Sequence, residues 1–194
     1  MLLATTTKNI IMLWVIIEGT TLASVILVAF YWNRNALEAG YKYAMLLTVG
    51  ITFALFGCIL LYSGASPHIP GGLDPLKITE IAKVSGKIPK SVVLLSLALL
   101  LAGFGTKCGI IPFHTWLPDA HAEAPTPVSA LLSGVMIKVG VYALIRTVTV
   151  FYPVYPETIK LFIVVLGILT MLVGIFRALR QDDRKRLLAY HSVS

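Results

Sequence analysis

SVVLLSLALLLAGFGTKCGII, residues 91–111, decides the fold. It is an apolar run with a single charge, Lys107. A helix that crosses a bilayer needs about 20 mostly apolar residues, because the hydrocarbon core is about 30 Å thick. Further runs on either side meet the same requirement. Asn9–Trp32 carries one charge, Glu18, and Tyr43–Tyr62 carries none. Val128–Tyr152 holds Lys138, with Arg146 near its end, and Ile159–Phe176, with Lys160 at its start, qualifies once a little tilt or snorkelling at its ends is allowed. Arg186–Ser194 reads as the start of one more helix. The expected fold is therefore all-α: a polytopic transmembrane helix bundle of five full spans and a partial sixth, forming a single transmembrane domain.

Composition agrees with this reading. Of 194 residues, 57% are hydrophobic and 13% charged, and the mean hydropathy is +0.86. An ordinary soluble domain carries about 25% charged residues. Too few charges remain here to cover a water-soluble globule, which excludes soluble-enzyme, disordered and disulfide-built secreted classes. Cys58 and Cys108 lie in apolar runs and read as small buried hydrophobes. A net charge of +7 would suggest nucleic acid for a soluble chain. In an apolar chain it marks loops on the cytoplasmic face instead, so no nucleic-acid partner is expected.

The loops follow from turn residues and charge. Ser63–Lys90 is read as the main extramembrane segment, opening with Pro67, Pro70, Gly71, Gly72 and Pro75. Its charged stretch Leu76–Lys87 suits a short interfacial amphipathic helix. His68, in the turn-rich part, is expected to be solvated. Asn33–Lys42 reads as a short loop and Pro153–Pro156 as a turn. Arg177–Arg186 is the densest charge run. Loop lysines and arginines divide evenly between the two faces. The compact Arg177–Arg186 cluster on a short loop favours its own face as cytoplasmic.

Ionisable residues inside spans are costly and mark function by default. Glu18, Lys107 and Lys138 each lie inside a predicted span, too far in for helix ends to explain them. Small and hydroxylated neighbours surround them: Gly19, Thr20, Thr21, Ala23 and Ser24 near Glu18; Gly103, Gly105, Thr106 and Gly109 near Lys107. Such residues let helices approach and hydrogen-bond across the contact. A buried glutamate and lysine at close range titrate as one unit, which suits proton handling. A structural ion pair and a snorkelling lysine are the alternatives.

KCGIIPFHTWLPDAHAEAPTPVSALL, residues 107–132, is the least ordinary stretch. Pro112 and Pro118 are expected to break helix continuity, and Pro125 and Pro127 to restart it. Broken backbone at membrane depth is tolerated only within protein or beside an aqueous cavity. His114, Asp119, His121 and Glu123 follow Pro112 closely. The histidines suit a proton relay, since imidazole titrates near neutrality. His114, beside Trp116, also suits an interfacial anchor, and Asp119 and Glu123 suit interfacial or helix-start carboxylates. These four side chains match no zinc spacing, so no metal is expected. His191, beside Tyr190, reads as a buried polar or packing residue. No Gly-rich dinucleotide fingerprint or Cys cluster occurs, so no cofactor is expected.

PFHTWLPDAHAEAPTPVSALLSG, residues 112–134, and KRLLAYHSVS, residues 185–194, carry a resemblance. With Lys107 and Lys138 between and before them, they resemble the proton-conducting antiporter-like membrane subunits of respiratory complex I, Mrp-type sodium/proton antiporters and membrane-bound hydrogenases. LWVIIEGTTLASVILVAFY (13–31) and ALEAGYKYAMLLTVGITFALFG (36–57) look most like the hydrogenase-4 component F type. The complex I relatives usually carry a proline shortly after the glutamate, and this chain has none there.

The resemblance implies a fold with two inverted helix repeats, each forming a half-channel. It implies that Glu18 partners a central proton-carrying lysine, Lys107, and that Lys138 passes protons toward the membrane centre. It implies a chain that starts after the family's first four helices and stops early in the tenth. The implied function is proton translocation within a redox-driven, hydrogenase-linked complex of the cell membrane. The implied partners are other membrane subunits, a peripheral hydrogenase-like redox module and the lipid bilayer. Two rival readings are a non-conducting structural or assembly role and Mrp-type sodium/proton antiport.

Overall fold

The computed structural model describes residues 1–151 and 154–194. A short helix α1 (Leu2–Thr6) leads into α2 (Ile10–Val28), which starts where the Asn9 side chain accepts from the amides of Ile11 and Met12 at 2.9 and 3.1 Å. Asn33 caps the following α3 (Arg34–Ala65) in the same way, through the Ala36 amide at 2.7 Å. These side-chain oxygens satisfy amides that a helix start leaves unpaired. Then come α4 (Ile78–Val84), α5 (Lys90–Cys108), α6 (Trp116–Glu123) and α7 (Thr126–Leu131). A π turn (Leu132–Met136) joins α7 to α8 (Ile137–Phe151), and α9 (Glu157–Leu179) and α10 (Arg184–Val193) follow. No named strand occurs among the described residues. Five helical stretches are long and apolar enough to cross a membrane: 10–28, 34–68, 90–108, 126–151 and 157–179. The chain is an all-α polytopic bundle.

Several boundaries differ from the sequence reading. Asn33–Lys42 is not a loop, because α3 begins at Arg34. Its polar opening looked extramembrane, but Glu38 and Lys42 pair at 2.8 Å across one helical turn and continue the helix past the apolar run. At the other end α3 runs on to Ala65. The expected amphipathic helix within Leu76–Lys87 is α4, which buries Ile78, Ile81 and Val84. His68 is exposed. Pro118 does not break a helix. It sits in the first turn of α6, where the amide it lacks has no intrahelical partner to lose. Tyr152 and Pro153, the end of one expected span and the start of an expected turn, lie outside the described residues.

The core forms where α3 meets α5 and α5 meets α8. Small residues set the spacing. A side chain on Gly103 of α5 would strike the Ala54 backbone of α3. Gly140 of α8 lies against Lys107 and Cys108. Without a strong hydrophobic drive between helices in lipid, such close backbone approach supplies the dispersion contact that holds a bundle. Trp14 adds a cross-helix bond, its indole donating to the Ile51 carbonyl at 2.7 Å.

Candidate functional site: a buried lysine at a helix break

The third span ends earlier than its apolar run. Gly109 takes a left-handed conformation (φ 74°), and its amide and that of Ile110 turn back to the Thr106 and Gly105 carbonyls at 3.2 and 2.9 Å. Glycine tolerates that geometry without a Cβ clash. Lys107 is therefore in the last turn of α5, not deep within its helix as the sequence suggested. A cation there is favoured by the partial negative charge of the terminal carbonyls.

Lys107 is 1% exposed. Its ammonium donates to Thr21 Oγ1 of α2 at 2.7 Å and lies 5.9 Å from the centre of the Tyr43 ring. The Thr21 hydroxyl in turn donates to the Ile17 carbonyl at 3.1 Å. The Tyr43 hydroxyl shares a 2.6 Å hydrogen bond with Ser24 Oγ. Glu18, one turn before Thr21, is half-buried, and its Oε2 is buried without a hydrogen-bond partner among the described residues. No ion pair within 4.0 Å joins Glu18 to Lys107 among the described residues, yet each lies within the other's electrostatic reach. α2, α3 and α5 thus bring Glu18, Thr21, Ser24, Tyr43 and Lys107 into one buried polar cluster. The hydroxyls are visible in the sequence as neighbours of Glu18. Tyr43 gives no such signal, because it stands at the edge of an apolar run and looks like a span boundary.

Trp116 supports the break. It is buried. Its indole donates to the Thr106 carbonyl at 2.8 Å, and its ring meets Tyr43 edge-on at 5.2 Å. One aromatic side chain thereby ties the last turn of α5 to the wall of the lysine site. Thr170 of α9 accepts from the Ile111 amide at 3.4 Å.

The other candidate residues lie elsewhere. Lys138 is exposed, and its ammonium donates to the Ser133 carbonyl in the π turn at 2.9 Å. It stands two residues from Gly140, so it projects from a different side of α8 than the face against Lys107. His121 is buried, pairs through Nδ1 with Ser129 Oγ at 2.7 Å, and leaves Nε2 unpartnered among the described residues. Burial, then the charge of Lys138, pushes its imidazole down to about 4. It lines a cavity of about 470 Å³ together with Ser133, Lys185, His191 and Ser192. His191 is exposed on that cavity rather than packed inside.

His114 is buried beside Tyr190, with a ring separation of 6.5 Å. Neither of its ring nitrogens makes a well-formed hydrogen bond among the described residues. Burial, followed by the Arg177 charge, holds its imidazole below the usual value. Asp119 faces outward to Lys42 at 3.4 Å and Arg186 at 3.9 Å. With Glu38 and Glu123 these side chains line a separate cavity of about 230 Å³. His121 and Asp119 consequently serve different surfaces of α6.

The family described as NADH:quinone oxidoreductase/Mrp antiporter, TM, matches residues 7–194. A hydrogenase-4 component F homolog from Methylacidiphilum infernorum (isolate V4) is 38% identical over 193 residues, covering 98% of this chain and 40% of that protein. A chain of the membrane-bound sulfane sulfur reductase, an archaeal respiratory membrane complex, superposes with a TM-score of 0.86 at 30% identity, over 96% of this chain and 37% of its own. A chain of respiratory complex I from Thermus thermophilus superposes with a TM-score of 0.78 at 28% identity, over 97% and 38%. The chain spans about 40% of the length of the first of these relatives.

Proposed function

Since the chain belongs to the transmembrane family of NADH:quinone oxidoreductases and Mrp antiporters, we propose that it forms part of a proton-translocating membrane subunit driven by a hydrogenase-linked redox module. The observation that carries this reading is Lys107: a cation buried to 1% exposure, held by a hydroxyl at 2.7 Å and within electrostatic reach of Glu18. An ionisable group so placed in a multi-pass membrane protein is costly and points to an ion pathway. An amine that holds or releases a proton, next to a carboxylate that accepts one, is the minimum equipment for a proton relay. Lysine suits H⁺ rather than Na⁺, because a hard cation requires oxygen ligands.

Protons would pass between Glu18 and Lys107 and then toward Lys138. The 470 Å³ cavity lined by His121, Ser133 and His191 offers room for such a route. Redox chemistry would belong to a peripheral partner module, with other membrane subunits completing the path. The hydrogenase link rests on the likeness to the component F homolog.

The test is Lys107→Ala in the full-length subunit, assembled in its complex and reconstituted in vesicles. Proton uptake should be abolished while dye-linked electron transfer by the redox module persists. Unchanged proton uptake overturns the proposal. Uptake that depends on sodium in the wild-type vesicles redirects it to sodium/proton antiport.

A further inference from the structure

The Lys107 ammonium is hydrogen-bonded not to the carboxylate but to Thr21, one turn further along the same face of α2. Thr21 is fully buried, and its own proton is directed to the Ile17 carbonyl at 3.1 Å. What the hydroxyl offers the lysine is therefore a lone pair. The neighbouring Glu18 Oε2 is buried and has no hydrogen-bond partner among the described residues. Leaving such an oxygen unpaired is expensive, so a nearby donor has a strong reason to move to it. The lysine stem runs close against Gly140: Cγ lies 3.0 Å from the point a Cβ there would occupy. The Tyr43 ring bounds the head at 5.9 Å. The outer torsions beyond Cγ remain as the means by which the ammonium changes partner.

We propose that Thr21 is a positioning residue that holds the Lys107 ammonium off Glu18, making the lysine a two-position carrier. This rests on the proton-translocating reading above. A threonine hydroxyl accepts a hydrogen bond from an ammonium without taking its proton, so Lys107 keeps its charge while it rests there. When the head leaves Thr21 for Glu18, the ammonium N–H bond breaks and a carboxyl O–H bond forms. The ammonium and carboxylate become a neutral amine and a carboxylic acid, with no net change in charge. Without the hydroxyl, Glu18 is the remaining strong acceptor. The lysine head then stays against Glu18 with no second resting place, and the carrier stops.

The experiment uses the full-length subunit in its assembled, vesicle-reconstituted complex. Thr21→Val should reduce protons moved per electron pair by about tenfold or more, the scale of one hydrogen bond to a charged group. Thr21→Ser, which keeps the hydroxyl, should restore transport. A structure of the Thr21→Val complex should find the Lys107 ammonium within ion-pair distance of Glu18. Thr21→Ala replaces the valine variant if that complex does not assemble. Normal transport in Thr21→Val, no rescue by serine, or a lysine still apart from Glu18 each overturns the inference. Lys107→Ala, run alongside, separates the two ideas. Transport that survives it overturns the proton relay itself, whereas loss in Lys107→Ala with normal transport in Thr21→Val overturns only the role of Thr21.

Discussion

Gly140 of α8 lies so close to Lys107 that a Cβ placed on it would stand 3.0 Å from the lysine Cγ and 3.2 Å from both the amide nitrogen and the sulfur of Cys108. The missing side chain is the space in which the lysine stem runs. α5 and α8 meet across this gap, and the buried charge is held between them.

Gly140→Ala should therefore disturb the site more than its size suggests. The Cys108 backbone cannot give way, so α8 must shift or the lysine stem must turn. Overpacking of this kind costs about 1–3 kcal/mol. The variant should assemble with a lowered melting temperature and lose much of its proton transport. Wild-type transport at unchanged stability would show that the contact has slack.

Trp116→Phe keeps an aromatic ring against Tyr43 but removes the donor to the Thr106 carbonyl. That carbonyl retains its 3.2 Å bond from the Gly109 amide, so the loss is one buried hydrogen bond and some volume. About 1.5–3 kcal/mol of stability should disappear. Thermal unfolding of the purified complex measures this, and no change would mean that the break at Gly109 stands without its indole brace.

His121, on α6 between the third and fourth spans, gives a pH prediction. Burial lowers its imidazole to about 4, against about 6.5 in an unfolded chain. The unfolded form then binds more protons between these values. The stability tied to neutral His121 is complete above about pH 6.5 and is lost as pH falls toward about 4. His121→Gln should flatten the acid limb of a stability–pH curve over that window. An unaltered acid limb would assign the dependence to other groups.

Asp119→Asn should matter little for stability. Its partners, Lys42 and Arg186, are each 47% exposed, and water screens such pairs strongly. The melting temperature should stay close to wild type and become less sensitive to salt. A large drop would mean that the cluster clamps α3, α6 and α10 together.

The spans were legible because the bilayer imposes a length and a composition that twenty residues of sequence either meet or fail. Glu18, Lys107 and Lys138 were legible for the same reason: a charge inside such a run stands out. The start of α3 was hidden, since Glu38 and Lys42 look extramembrane until their helical pairing is seen. Pro118 misled because a proline breaks a helix only past its first turn, and the position of that turn is not written in the proline itself. Tyr43 and Trp116 do not stand out as site residues in the sequence, because an aromatic side chain carries no local sign of what its polar atom reaches.

Sequence alone determined that this protein is a multi-pass helical bundle, and it singled out Glu18, Lys107 and Lys138 as charges within its apolar runs. Both follow from transfer energetics, which act residue by residue along the chain. Only the tertiary structure decided that Lys107 closes its helix at Gly109, rests on Thr21 rather than Glu18, and lies apart from the exposed Lys138. Those outcomes depend on how α2, α3, α5 and α8 pack. A hydrogen bond between residues far apart in sequence is fixed by the rotation and spacing of whole helices, which no local stretch of sequence specifies.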